Sequence, residues 1–312
     1  MRFALVPRLA FGTRVFVGIC CVVALGCGAS TPPDVKDASP PAASASSPVA
    51  SAAPVENAGS PAAAMVGSLS EEAFKALHQL KGEKAPPARG VRVTIDGTSA
   101  YLSLPPGKTG PLPGLVVVHE WWGLNEHIQH WADRLAEDGY AALAVDLYGG
   151  KVATTPDEAM ATMKTVDEKK AIKTLVAAHD FLEKDERIKA PRTGAIGWCF
   201  GGGFSLKLAM NEPDLDAAVI YYGMLVSDPG ALKPIKSEIL GLFGNKDKSI
   251  TPEKVNDFEK ALGVAGVKNT IVRYDADHAF ANPSQTRYDE KSAADAWAKV
   301  RQFFQTKLKP TL

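Results

Sequence analysis

"AIGWCFGGG", residues 195–203, is the stretch on which the reading of this chain turns. An apolar run ends at Trp198, a cysteine follows, and glycines then open what the spacing predicts as a helix from about 200 to 210. A strand, one tight turn and a helix would leave the side chain of Cys199 at the apex, just beyond the strand. Taken alone, a cysteine beside glycines is more often a small buried hydrophobe than a reactive thiol. Its companions elsewhere in the chain have to decide.

To either side, strand and helix signals alternate. "LVVVH" (115–119) is a continuous apolar run rich in β-branched residues, as expected of a central strand covered on both faces. "YAALAV" (140–145), "GAIGW" (194–198), "AAVIYY" (217–222), "EILGLFG" (238–244) and "TIVRY" (270–274) read as further strands. Between them, Asn125 can cap a helix whose Ile128, Trp131, Ala132 and Leu135 share one face and which Gly139 ends. One or two helices follow through 155–184, another over 252–262 and a closing one over about 284–307. Upstream, "VRVTI" (91–95) and "AYLSL" (100–104) are joined by Asp96-Gly97, a hairpin signal. The expectation is one α/β domain over 90–312, its mainly parallel central sheet carrying helices on both faces.

The first ninety residues differ in kind. Arg2, Arg8 and Arg14 precede an apolar run, Val15 to Leu25, too short to span a membrane as a helix, and "VALGC" ends it at Cys27. This resembles a bacterial lipoprotein signal. It implies that residues 1–26 are removed, that Cys27 is lipidated, and that the protein is exported and anchored at the cell envelope. Residues 27–66, dominated by Ala, Pro and Ser, hold too little apolar surface to offset the entropy of ordering and read as a disordered tether. Residues 67–89 read as a helical appendage, with a capping box at Ser68 and Glu71 opening a helix over 68–80. After processing, Cys199 would be the single thiol of the folded part, since the other cysteines are Cys20, Cys21 and Cys27. Lys+Arg and Asp+Glu are both 35, and no basic run suggests nucleic acid. The expected partner is a small molecule, besides the membrane that would hold the anchor.

In an open parallel sheet, reactive side chains sit beyond the carboxyl ends of strands. Read in order, those ends carry His119-Glu120, Asp146, Cys199, Asp247 and, after the last strand, His278. Cys199, Asp247, His278 is the chain order nucleophile, acid, base of an α/β-hydrolase triad. Asp277, adjacent to the histidine, is the rival acid. Glu120 could equally salt-bridge an arginine. A metal reading of His119-Glu120 fails because H-E-x-x-H needs a second histidine where Gly123 stands. His127 and His130 read as a solvated helix face. No Lys-Ser/Thr pair follows the glycines of 201–203, so no phosphate loop, metal or cofactor is expected.

"VVVHEWWGLN", "YAALAVDLYGG", "GWCFGGG", "GNKDKSITP" and "DADHAFANP" together resemble the dienelactone hydrolase family over roughly residues 90–310. The resemblance implies an α/β-hydrolase that cleaves an ester or lactone through an acyl-enzyme on Cys199, with His278 as base and Asp247 as its orienter. It also implies that Glu120 lies against the thiol and that the backbone N–H groups of Phe200 and Trp121 form the oxyanion hole. Trp122, Tyr148, Phe280 and Asn282 would line the substrate pocket. Family members clamp a substrate carboxylate with two arginines, but here Asn282 occupies one position and residues 147–171 contain no arginine, only lysines such as Lys151 and Lys164. A neutral ester is therefore expected. The competing reading is a cell-envelope binding protein that keeps the fold without the chemistry. A thiol redox protein would need a C-x-x-C pair, which is missing.

Overall fold

The computed structural model describes residues 87–309. The expected signal with Cys27, the expected tether and the expected helix over 68–80 lie outside these residues. Eight strands form one sheet: β1 (Val91–Ile95), β2 (Thr98–Ser103), β3 (Gly114–Val118), β4 (Ala141–Val145), β5 (Thr193–Trp198), β6 (Ala217–Tyr221), β7 (Glu238–Gly244) and β8 (Asn269–Tyr274). Their order across the sheet is β1-β2-β4-β3-β5-β6-β7-β8. β1 and β2 pair antiparallel, as do β2 and β4; every other pair is parallel. In the β1–β2 hairpin Asp96 and Gly97 both have positive φ, 47° and 75°, as a type I′ turn requires.

The helices are α1 (Glu126–Glu137), α2 (Pro156–Lys164), α3 (Glu168–Lys184), α4 (Phe200–Asn211), α5 (Pro229–Leu232), α6 (Pro252–Ala265) and α7 (Glu290–Leu308). Strands β3 to β6 are buried along their whole length, which is why their sequences are apolar without alternation. Alternate residues nevertheless feed two cores. Val116 and Val118 pack with Leu175 and Leu182 of α3, Leu206 of α4 and Phe258 of α6. Leu115 and Val117 pack on the opposite face with Trp131 and Leu135 of α1 and Trp297 and Phe304 of α7. Among the described residues, no helix is long and apolar enough to cross a membrane.

The helices differ from expectation in places: α6 runs three residues past the expected 262, one short helix has no counterpart, and α7 starts late. The closing helix begins at Glu290 rather than near 284, because Asp289 caps it by accepting from the Ser292 N–H at 2.8 Å while the preceding residues make turns. The four-residue α5 carries no periodicity to read, only the Asp228-Pro229 start. After β3 the chain crosses to β4 on one side and returns to β5 on the other, so the crevice at the carboxyl ends of β3 and β5 is a topological switch point.

Candidate active site

Cys199 sits in that crevice, between β5 and α4, with φ 55° and ψ −115°. Backbone so placed costs on the order of 1–3 kcal/mol in a non-glycine residue and persists only where its surroundings fix it. Here the Cys199 N–H donates to the Tyr221 carbonyl at 3.0 Å, and its own carbonyl accepts from Gly203 at 3.3 Å. The glycines permit the close approach. A Cβ on Gly197 would collide with the Gly201 carbonyl, one on Gly201 with the Val118 carbonyl, and one on Gly202 with the Tyr221 carbonyl. The start of α4 is thus wedged against β3, β5 and β6, and Phe200, its first residue, has a backbone N–H with no helical partner.

His278 follows β8 and stands beside Cys199, within hydrogen-bonding reach of the thiol. Its Nδ1 donates to Asp247 Oδ2 at 2.6 Å, so the partner is the distant Asp247 and not the adjacent Asp277. Asp247, after β7, is buried, and its Oδ1 accepts from the N–H groups of Ser249 at 2.7 Å and Ile250 at 3.0 Å. Burial works to raise the Asp247 pKa, but the bonds from His278, Ile250 and Ser249 hold it below the usual carboxylate value. Burial likewise pulls His278 down, and hydrogen bonds to Asp247 and Cys199 more than reverse this, raising it to about 10. The arrangement can keep a proton on the imidazole beside a nascent thiolate.

Glu120, after β3, is 5 % exposed. Burial pushes its carboxyl up to about 7, against the pull of His278, a hydrogen bond from Asn282 Nδ2 and Arg287. Its neighbour His119 is fully buried. His119 Nδ1 donates to the Glu120 carbonyl at 2.6 Å, its Nε2 accepts from the Leu147 N–H at 3.2 Å, and its ring stacks on Phe200. The loops after β3 and β4 and the first residue of α4 are thereby tied together.

Glu120, Trp121, Trp122, Cys199, Phe200 and His278 line one cavity of about 530 Å³. The other three pocket expectations lie behind its wall. Tyr148 turns inward because Asp146 accepts from the N–H groups of Tyr148 at 3.0 Å and Gly150 at 2.6 Å, and its ring packs edge-on to His119. Phe280 is fully buried against Tyr222 and Tyr274, since a tight turn from Ala279 (φ 64°) to Asn282 folds it under the site. Asn282 is buried with its amide on Glu120. The histidines read as a solvated face are not so. His130 is 3 % exposed, and His127 meets Ser284 Oγ at 2.7 Å from Nε2, because the 282–285 turn packs over α1.

The sequence reading missed several residues that line the cavity. Tyr222 directly follows β6, another strand end, and its ring lies 5.1 Å from that of His278. Met160 and Met163 of α2 show the i, i+3 spacing, and Phe204 is one turn beyond Phe200. Arg287 comes from the turns before α7, where no spacing signals it. Among the described residues, His179, Asp180 and Glu183 of α3 are grouped closely enough to be metal ligands, but none lines the cavity.

The pattern characteristic of the dienelactone hydrolase family matches residues 98–308. The chain belongs to the dienelactone hydrolase family. A provisionally named carboxymethylenebutenolidase of Salmonella typhimurium is 33 % identical over 224 residues, 67 % of this chain and 83 % of that protein. The crystal structure of a provisionally named dienelactone hydrolase from Klebsiella pneumoniae superposes with a TM-score of 0.62 at 30 % identity, covering 72 % of this chain and 99 % of that one. P91, a dienelactone hydrolase-like promiscuous phosphotriesterase from metagenomic libraries, superposes at 0.64 with 29 % identity, covering 71 % and 98 %. As a dienelactone hydrolase-like protein this chain is an α/β-hydrolase that acts on ester or lactone bonds.

Proposed function

We propose that the hydrolysis runs through a covalent acyl-enzyme on Cys199. The Cys199 sulfur attacks the substrate carbonyl, and the oxygen that becomes negative is held by the N–H groups of Phe200 and Trp121, the largest electrostatic contribution in acyl transfer. The alcohol leaves with a proton from His278, leaving a thioester. His278 then takes a proton from water, the hydroxide attacks the thioester, and the acid departs as the thiol re-forms. Asp247 fixes the ring and steadies its charged form. Glu120, in its ionised form, takes the thiol proton when substrate arrives and returns it to the Cys199 thiolate as the acid departs, which closes the cycle. The observation that carries this reading is His278, held by its hydrogen bond to Asp247, facing the same cavity as Cys199 on its strained elbow.

Cys199→Ala, assayed with a neutral aryl acetate, should lose turnover while keeping the wild-type melting temperature. Near-wild-type hydrolysis in that variant would overturn the proposal. We also propose that Cys27 is lipidated and that residues 27–66 tether the hydrolase domain to the cell envelope, a reading supported by the sequence "VALGC" and the Ala/Pro/Ser tract behind it.

A further inference from the structure

The cavity walls differ in chemistry. α2 buries only Ala159, yet its Met160 and Met163 both line the cavity, together with Val166, Phe204 and Met224. Met160 is 39 % and Met224 65 % exposed, two of the five large hydrophobic side chains exposed among the described residues. A single exposed apolar side chain is ordinary. Two on the rim of one cavity, continuous with Met163, Val166 and Phe204 inside it, make an apolar path from solvent to the thiol, and contiguous apolar surface marks a binding site. Methionine suits that task, being unbranched and adaptable to ligands of varied shape.

Charge points the same way. Among the described residues, the cations lining the cavity besides the His278 imidazolium are Lys207 and Arg287. Lys207 is already engaged: its Nζ lies 2.5 Å from Glu168 Oε2 and 4.9 Å from the centre of the Phe204 ring. An anionic group on this wall would have to displace Glu168 and face it. Arg287 belongs to the turns between His278 and α7, apart from the methionines in the chain, and its charge acts on Glu120.

We propose that the hydrolase takes an ester with one uncharged apolar arm, alkyl or aryl, laid along Met160, Met163, Phe204 and Met224 with its carbonyl at Cys199. This rests on the acyl-enzyme reading and adds the substrate class. Each methylene moved from water onto such a wall is worth up to about fourfold in kcat/KM where the contact is made in the transition state. The test uses two ester series, p-nitrophenyl esters of linear acids from acetate to decanoate and acetates of linear alcohols of the same lengths. Wild type, Met160→Glu, Met224→Glu and the control Val264→Glu, an exposed position outside the cavity lining, are compared. The expected result is a rise of kcat/KM with length in at least one series, a flattened rise in both methionine variants, and an unchanged one in Val264→Glu. A terminal carboxylate on the favoured arm should cost tenfold or more. A flat response in both series, an undiminished rise in the methionine variants, or a preference for the carboxylated arm would overturn the proposal. Turnover surviving in Cys199→Ala would instead overturn the reading beneath it, so the two failures are told apart.

Discussion

Glu120→Gln should stabilise the protein, and the gain should grow with pH. A buried carboxyl that gives up its proton near 7 in the folded chain, instead of at the ordinary 4.5, is a carboxyl the fold prefers neutral. Below 4.5 both folded and unfolded chains hold the proton, and burial costs nothing through ionisation. Between 4.5 and 7 the unfolded chain releases the proton first, so wild-type stability falls as pH rises, and above 7 the loss is complete. Its size is about 3 kcal/mol, from 1.36 kcal/mol for each tenfold change in proton affinity. Glutamine keeps the shape and can still accept from the Asn282 amide, but it does not titrate. Urea unfolding of both proteins from pH 4 to 8.5 measures the difference directly. The variant should match wild type at pH 4 and exceed it by about 3 kcal/mol at pH 8, or roughly 6–12 °C in Tm for a domain of this size. A gap independent of pH, or one that narrows as pH rises, would refute the reasoning.

His278→Ala should lower kcat by about 10²- to 10⁴-fold, since the ring serves both proton transfers, with KM read from the same steady-state curves. Gly202→Ala should lower Tm, a loss of about 1–3 kcal/mol, because the added methyl would meet the backbone of Tyr221 and Gly223. The sign is informative, since alanine in an unconstrained helix position would stabilise. Cys27→Ser should abolish labelling of the protein by a metabolically supplied fatty acid that marks the wild type. Label retained in the variant would leave an ordinary secretory signal.

Much of the fold was legible because the strands are short apolar runs bounded by glycine and polar residues, and Asn125 caps α1 in the expected place. The start of α7 was not legible, because the turns over 282–289 owe their shape to side-chain bonds such as Asn282 Oδ1 to the Ser284 N–H. The same division holds around the cavity. That Glu120, Cys199, Asp247 and His278 come together could be read from strand ends, because a parallel sheet collects those ends at one edge. The wall residues could not, since α2 and the loop bearing Arg287 reach the cavity through tertiary packing that no local period records. Tyr148 and Phe280 were misplaced for a related reason: proximity in sequence to a site residue does not say which way a turn sends the next side chain.

The most direct test of the acyl-enzyme is to see it. Wild type and His278→Ala, mixed with a p-nitrophenyl ester and quenched in acid within the first turnovers, would be digested and weighed by mass spectrometry. The account predicts the acyl mass on the peptide that contains Cys199, persisting longer in His278→Ala because deacylation has lost its base. Steady turnover with no acyl mass on any peptide, or an acyl mass on a different residue, would contradict it.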